Sequence, residues 1–248
     1  MSLTSAIGVS AIVPTWNEEA WLPSLLARLD AESAVTEVVV ADNASTDATA
    51  PIALAAGCTL VPGGRPAAGR NTAARATRGG LLLFTDADVV VTPEVVAAAL
   101  EELRDPTCML VHFRLVPVTD RRFVKVCYRL VDVHARLCRR IGRPQASAPL
   151  IVVRREAFFA VGGFDERIHA AEDVEFISRV GERLGGVAYV RSPSLRVSAR
   201  RFDLESPLLY GLKCVMWALL RMVGLRLSVR GYVWMPYPDD LLRPDCEV

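Results

Sequence analysis

The chain has 248 residues, 52% of them hydrophobic, and its 29 Lys and Arg against 28 Asp and Glu leave a formal net charge of +1. That length suits one sizeable α/β domain or two small lobes sharing a core. The balanced charge argues against nucleic acid as the main partner, because phosphate-backbone binders carry a basic excess.

Residues 9–13 read as a first buried strand that Pro14 ends, and Thr15-Trp16-Asn17 makes the turn. Glu18-Glu19 opens a helix to Asp30, with its acids where the helix dipole favours them. Residues 37–41 form a second buried strand ending in Asp42-Asn43, after which Ser45-Thr46-Asp47 caps a helix that Gly57 stops. Residues 59–61 are a third strand, and an Ala-rich helix covers 67–77. Next come four apolar residues, Leu81 to Phe84, then Thr85-Asp86-Ala87-Asp88, then a helix over 93–104 with proline at its first position. A short apolar run of this kind is how a fully buried strand reads. If the strand persists to Asp88, the i, i+2 spacing turns both carboxylates toward one point beyond its C-terminal end. Two carboxylates with substrate phosphates are a usual way to hold Mg²⁺; the plainer alternative is that they cap the turn before the helix at Pro93.

Four alternations of strand and helix imply a parallel sheet with right-handed crossovers. They also collect Thr15, Asn17, Asp42, Asp86 and Asp88 on one rim of it, where open α/β sheets bind ligands. The second half is less regular. Residues 109–118 look like a strand, and 120–141 like a long amphipathic helix whose core stripe is Phe123, Val126, Cys127, Leu130, Val131, His134, Leu137, Cys138 and Ile141. His112 and His134 read as core histidines. A strand at 150–153, a short helix at 155–161, a tight Gly162-Gly163-Phe164-Asp165 turn, a helix from Glu172-Asp173 to Leu184 and short strands at 187–190 and 195–198 follow. The six cysteines are scattered without a C-x-x-C pair, which disfavours a zinc site or disulfide framework and fits a reducing cytosol. The first 13 residues carry no Lys or Arg, so a signal peptide is not expected. Together these give a cytoplasmic expectation.

At this point the chain resembles a family-2 glycosyltransferase of the GT-A fold. Ile12-Val13-Pro14-Thr15-Trp16-Asn17-Glu18 resembles the family's first strand and turn, and Asp42-Asn43-Ala44-Ser45-Thr46-Asp47 its D-[DN]-x-S-x-D segment. Gly69-Arg70-Asn71 followed by Asp86-Ala87-Asp88 resembles its R-N…D-x-D block, and Gly162-Gly163-Phe164-Asp165 followed by Glu172-Asp173 its G-G-F…E-D block. The ordered set spans about residues 9–202, and Ser198-Ala199-Arg200-Arg201-Phe202 is similar to a bacterial branch of small transferases carrying S-A-R-R-[FW].

The resemblance implies a Rossmann-like, mostly parallel sheet flanked by helices, in one GT-A domain. Its nucleotide-sugar half covers about 9–105, a mixed acceptor half about 106–202, and a C-terminal apolar helix and tail about 203–248. It implies inverting transfer of a sugar from a nucleoside-diphosphate donor to an acceptor hydroxyl, with Mg²⁺ or Mn²⁺. Asp42 would bind the base, with Pro14, Thr15 and Glu18 walling the nucleoside pocket and Arg70 or Asn71 lining it. Asp86 would approach the ribose or a metal-bound water, Asp88 would bind the cation, and Asp173 would be the general base. Glu172 would orient Asp173 or an arginine, or contact substrate, and His169 is either a ligand or a solvated loop histidine. Arg200 and Arg201 would clamp the diphosphate, against the alternative of a surface ion pair. Rival classes are a sugar nucleotidyltransferase, which wants a Gly-rich basic loop that Pro14 to Glu19 lacks, and a non-catalytic sugar-binding protein on the same fold. The apolar run 207–225 contains Lys213 and Arg221, so it is not expected to span a bilayer. It reads as a packed helix, a homodimer contact, or an interfacial helix that would bring a peripheral membrane site to a lipid-linked acceptor.

Overall fold

The structure, a computed structural model, describes residues 8–168, 171–199 and 202. In chain order the elements are β1 (Val9–Thr15), α1 (Leu22–Asp30), β2 (Val35–Asp42), α2 (Thr49–Ala55), β3 (Thr59–Pro62), α3 (Pro66–Ala76), β4 (Leu81–Thr85), β5 (Val89–Val90), α4 (Pro93–Glu102), β6 (Leu110–Val118), α5 (Arg122–Arg140), β7 (Leu150–Arg154), α6 (Arg155–Ala160), α7 (Glu172–Arg183) and β8 (Val187–Ser198). The expected helix over 207–225 and His169, Arg200 and Arg201 lie outside the described residues.

One eight-stranded mixed sheet runs through both halves of the described chain, in the order β3-β2-β1-β4-β7-β6-β8-β5. The chain winds outward from β1 to β2 to β3 in parallel, then returns through α3 to β4 on the other side of β1. The strand order therefore reverses between β1 and β4, which opens a crevice at their C-terminal ends. The antiparallel pairing of β4 with β7 joins the second half to the first.

Alternation along the strands sorts side chains into two layers. Leu81 and Leu83 of β4 join α1, α2 and α4 in one core, while Leu82 and Phe84 join α3, α6 and α7 in the other. Phe84, Phe158, Phe164 and Phe176 form the centre of the second core, with ring centroids 4.4 to 5.9 Å apart. An ionic clasp closes the opposite end of the sheet. The Glu37 carboxylate accepts from Ser10 Oγ at 2.5 Å and from the backbone N–H groups of Arg78 and Gly79 at 2.6 and 3.1 Å. Burial works against that charge, but these hydrogen bonds outweigh it and hold the carboxyl below its ordinary range.

Several local expectations change. β1 runs through Pro14 to Thr15, because its ladder with β4 stops at Ile12 and a residue without an N–H can be carried beyond it. Helix α1 begins at Leu22, not Glu18, and α2 at Thr49, not after Asp47. Pro23 and Pro51 set both starts, since proline fits only the first turn of a helix. The two short strands expected after 187 are one strand, β8, whose register on β6 slips between Phe113 and Leu115. On α5 much of the expected core stripe is turned outward, although Cys138 is buried and Cys127, Val131 and His134 are half-buried. Val124, Asp132, Ala135 and Cys138 are buried, while Phe123, Val126, Leu130, Leu137 and Ile141 are exposed. The rotation is fixed by Asp132, which accepts from Tyr189 Oη on β8 at 2.7 Å. His112 is a core residue stacked on Tyr189, though its Nδ1 has no hydrogen-bond partner, and burial depresses its pKa to about 3. No helix among the described residues is long and apolar enough to cross a membrane.

The Glu37 clasp predicts an acid-sensitive stability difference. A depressed carboxyl stabilises the fold above its unfolded pKa and loses that contribution as pH falls through its folded value. Glu37→Gln should therefore lower the urea midpoint near neutral pH, and the gap from the unsubstituted protein should close as pH is lowered through the carboxylate range.

Candidate active site

The crevice is lined by three turns at strand C-termini and closed by the start of α7. After β1, the backbone N–H of Asn17 donates to Ser45 Oγ at 2.9 Å, and Asn17 Oδ1 accepts from Thr46 N at 2.8 Å. Asp47 accepts from Glu19 N, and Thr49 Oγ1 accepts from Glu18 N. The Ser-Thr-Asp segment that reads as a helix cap thus ties the β2 turn to the β1 turn. Asp42 sits between them. Its carboxylate accepts from Thr15 Oγ1 at 3.1 Å, from Ser45 Oγ at 2.5 Å and from Ser45 N at 3.0 Å. Pro14 and Thr15 are buried in β1 beside it, and Glu18 is 8% exposed.

The turn after β4 departs from the extended geometry. The strand ends at Thr85, and Val89 N donates to Asp86 O at 3.3 Å to close a turn. The two carboxylates consequently part. Asp86 faces α3, where its Oδ1 accepts from Arg70 Nη2 at 2.7 Å. Asp88 borders a cavity of about 50 Å³ on the α1 side, with Trp21, Ser24, Arg28, Val118 and Ser198. Among the described residues no group of three His, Cys, Asp or Glu could cage a metal. The donor set fits the other common mode, one or two carboxylates with substrate phosphates completing the shell.

Arg70 connects this turn to α7. The residue is 6% exposed, and its guanidinium also donates from Nη1 to Glu172 Oε1 at 2.5 Å. Burial disfavours its charge, but Asp86, Glu172 and Asp173 outweigh that and hold its pKa above the ordinary arginine value. One acid of the D-x-D segment and one of the E-D pair thus meet on one cation. Asp173 is fixed independently. Its Oδ2 accepts from Ala148 N at 2.7 Å and from Ser147 Oγ at 3.3 Å, and its Oδ1 from Val174 N at 2.8 Å. Asp86 N in turn donates to Pro149 O at 3.1 Å, so residues 147–149 hold both acids.

Asn71 is 4% exposed, and its amide is committed to the glycine turn. Nδ2 donates to Phe164 O and Glu166 Oε1, and Oδ1 accepts from Phe164 N. Gly163 at φ +69° lies so close that a Cβ would stand 2.6 Å from Asn71 Oδ1, so both its backbone and its space require glycine. Asp165 is clasped by Arg167 through two side-chain bonds of 2.9 and 2.8 Å, which depress its pKa to about 2. Arg179 locks α7 from below, pairing with Glu175 at 2.7 Å and donating to Val161 O. Three non-glycine residues among those described have positive φ, namely Asn17, Ala44 and Ala171, and each lies in a turn of this crevice.

The sequence assigns Ser45 to a helix cap and not to Asp42, and it does not single out Ser147 or Arg179. Ser45, three residues after Asp42, was the findable one, because an Asx-type turn there answers the carboxylate locally.

The eight-stranded mixed sheet with helices on both faces is a GT-A fold. The chain belongs to glycosyl transferase family 2, whose model matches residues 10–160. A second model, glycosyltransferase like family 2, matches residues 132–211. The chain is 25% identical over 187 residues to an uncharacterized glycosyltransferase of Haemophilus influenzae, covering 69% of this chain and 61% of that protein. It is 32% identical over 124 residues to a pre-mycofactocin glycosyltransferase of Mycobacterium tuberculosis, covering 47% of this chain and 26% of that one. Among solved structures it is similar to glucosyl-3-phosphoglycerate synthase of Mycobacterium tuberculosis in complex with Mn²⁺, UDP and glucosyl-3-phosphoglycerate. The TM-score is 0.65 with 21% identity, over 91% of this chain and 83% of that one. The same enzyme with Mn²⁺ and UDP-glucose gives 0.65 and 22%, over 91% and 82%. These likenesses establish the fold.

Removing the shared cation should be costly, because it leaves two carboxylates facing each other without it. Arg70→Met should lose about 3 to 5 kcal/mol of stability in urea titrations. Adding Glu172→Gln to that variant should recover part of the loss.

Proposed function

We propose that the chain transfers a sugar from a nucleoside-diphosphate donor to an acceptor hydroxyl with inversion at the anomeric carbon. The observation that carries this reading is the Arg70 junction, which links Asp86 and Glu172, 86 residues apart in sequence, through one buried guanidinium. A site for group transfer needs its donor-binding and proton-accepting groups held in one frame, and this contact supplies such a frame.

Asp42, held by Thr15 and Ser45, receives hydrogen bonds from the donor base. Pro14, Thr15 and Glu18 form the wall of the nucleoside pocket. Arg70 and Asn71 act from beneath, Arg70 by orienting Asp86 and Glu172 and Asn71 by holding the glycine turn. Asp88 would hold a Mg²⁺ or Mn²⁺ ion, which would supply positive charge to the leaving diphosphate, and Asp86, turned toward Arg70, would reach it through a bound water or the ribose. Arg200 and Arg201 belong to the same phosphate-binding function. Asp173 takes the proton from the acceptor hydroxyl, and its bonds to Ala148 N and Ser147 Oγ aim it. The chemistry of the related structures supports this reading, since glucosyl-3-phosphoglycerate synthase was solved with Mn²⁺ and UDP-glucose. A lipid-linked hydroxyl compound is the acceptor we favour, on the strength of the exposed apolar face of α5.

Two measurements test the assignment. In a thermal-shift panel of nucleoside diphosphates, one nucleotide should raise the melting temperature in the presence of Mn²⁺ and lose most of that effect in Asp88→Ala. Asp173→Asn should leave that shift intact while lowering turnover about a hundred- to ten-thousand-fold. Loss of the shift with unchanged turnover per bound donor would make Asp173 a binding residue. A protein that binds donor but turns over none, with any acceptor class, would be a sugar-binding module.

A further inference from the structure

Helix α5 has two apolar faces, and only one of them is used by the fold. Val124, Ala135 and Cys138 pack inward toward the sheet, with the rotation set by the Asp132–Tyr189 bond. On the far side, Phe123, Val126, Leu130, Val133, Leu137 and Ile141 are 41% to 58% exposed. Their spacing of i, i+3, i+7, i+10, i+14 and i+18 keeps them on one stripe, which at 1.5 Å per residue runs for about 27 Å. Single exposed leucines are ordinary, but a continuous stripe over five turns marks a contact surface.

One edge of the stripe is basic. Arg122, Lys125, Arg129 and Arg140 fall beside it on the helical wheel and are exposed. The helix carries six Lys and Arg in all, and its single acid, Asp132, is turned inward. We propose that α5 is an in-plane membrane contact, laying its apolar stripe into an anionic bilayer surface with the basic edge at the headgroups. Charge selects this occupant over the others. The apolar stretch 207–230 of the same chain carries Lys213, Arg221, Arg226 and Arg230 and no acid, so it would meet the basic edge with like charge, and the acids Asp239, Asp240, Asp245 and Glu247 come after it, outside the apolar run that could cover the stripe. A second copy of the helix would do the same. An anionic lipid surface complements the stripe and the edge together. The inference is independent of the donor and base assignments above, and its test does not use activity.

The full chain is floated with vesicles of phosphatidylcholine alone and of phosphatidylcholine with phosphatidylglycerol, at low and high salt. The expected result is binding to the anionic vesicles, weakened by salt, with little binding to the neutral ones. Leu130→Glu with Leu137→Glu should abolish flotation while the melting curve is kept. Arg129→Gln with Arg140→Gln leaves the stripe intact and should weaken partitioning about thirty-fold. This second pair decides the matter if the first fails to fold. Absence of the unsubstituted protein from the anionic lipid fraction at low salt overturns the proposal. So does flotation of the arginine variant equal to that of the unsubstituted chain, which would place binding elsewhere. A dimer in light scattering that the glutamate pair dissolves, with no lipid uptake, would assign the stripe to a second copy instead.

Discussion

Arg70 lies on the helix that carries the chain back across the sheet from β3 to β4, and its guanidinium is buried between two strongly separated parts of the sequence. A buried cation is costly unless its donors are matched by carboxylates in good geometry. Asp86 and Glu172 do this on two sides, and neither can move without exposing a charge to a partnerless interior. The turn after β4 and the first turn of α7 are therefore positioned by a single electrostatic requirement. The residues that carry chemistry in our reading, Asp88 and Asp173, follow these two anchors by two residues and by one, and Asp173 is held further by Ala148 N and Ser147 Oγ.

A second constraint acts through polar groups that are not charged. Asn71, the neighbour of Arg70, uses its whole amide on the turn between α6 and α7. Residues 147–149, entering β7, bind Asp173 through Ala148 N–H and accept from Asp86 N–H. The antiparallel β4–β7 ladder underlies both contacts. Helix α3, the β7 entry and α7 thus form one rigid frame around the crevice, built over the four-phenylalanine core that fills the space beneath.

Much of this arrangement is legible in the sequence. Buried strands announce themselves as short apolar runs, and the run Leu81 to Phe84 ends at Thr85, one residue before the acid that matters. The collection of acids on one rim followed from the alternation of strand and helix. What was misread has physical causes that can be named. Acidic and capping residues suggest earlier helix starts, whereas Pro23 and Pro51, which cannot sit in a helix interior, fix them later. The i, i+2 argument for Asp86 and Asp88 assumed a strand that had already stopped, so the pair diverges. The face of α5 could not be chosen from periodicity, because apolar residues occur on both sides and the choice was made by one tertiary hydrogen bond, Asp132 to Tyr189. The partners of Arg70 lie 16 and 102 residues away, and no local pattern reports a contact of that range.

Asn17, Ala44 and Ala171 adopt a left-handed backbone at the three turns that frame the crevice. For alanine this conformation carries a cost of order 1 to 3 kcal/mol, with no side-chain hydrogen bond to offset it. Among the described residues, the non-glycine positions with a left-handed backbone thus all lie in the turns that frame the crevice. One consequence concerns evolvability. Random variation that selects only for heat resistance has an easy gain at Ala44 and Ala171, where glycine relieves the backbone. The same change frees the turns that present Asp42 and Asp173, so, with the roles proposed for these acids, selection for endurance and selection for turnover pull in opposite directions at these two positions.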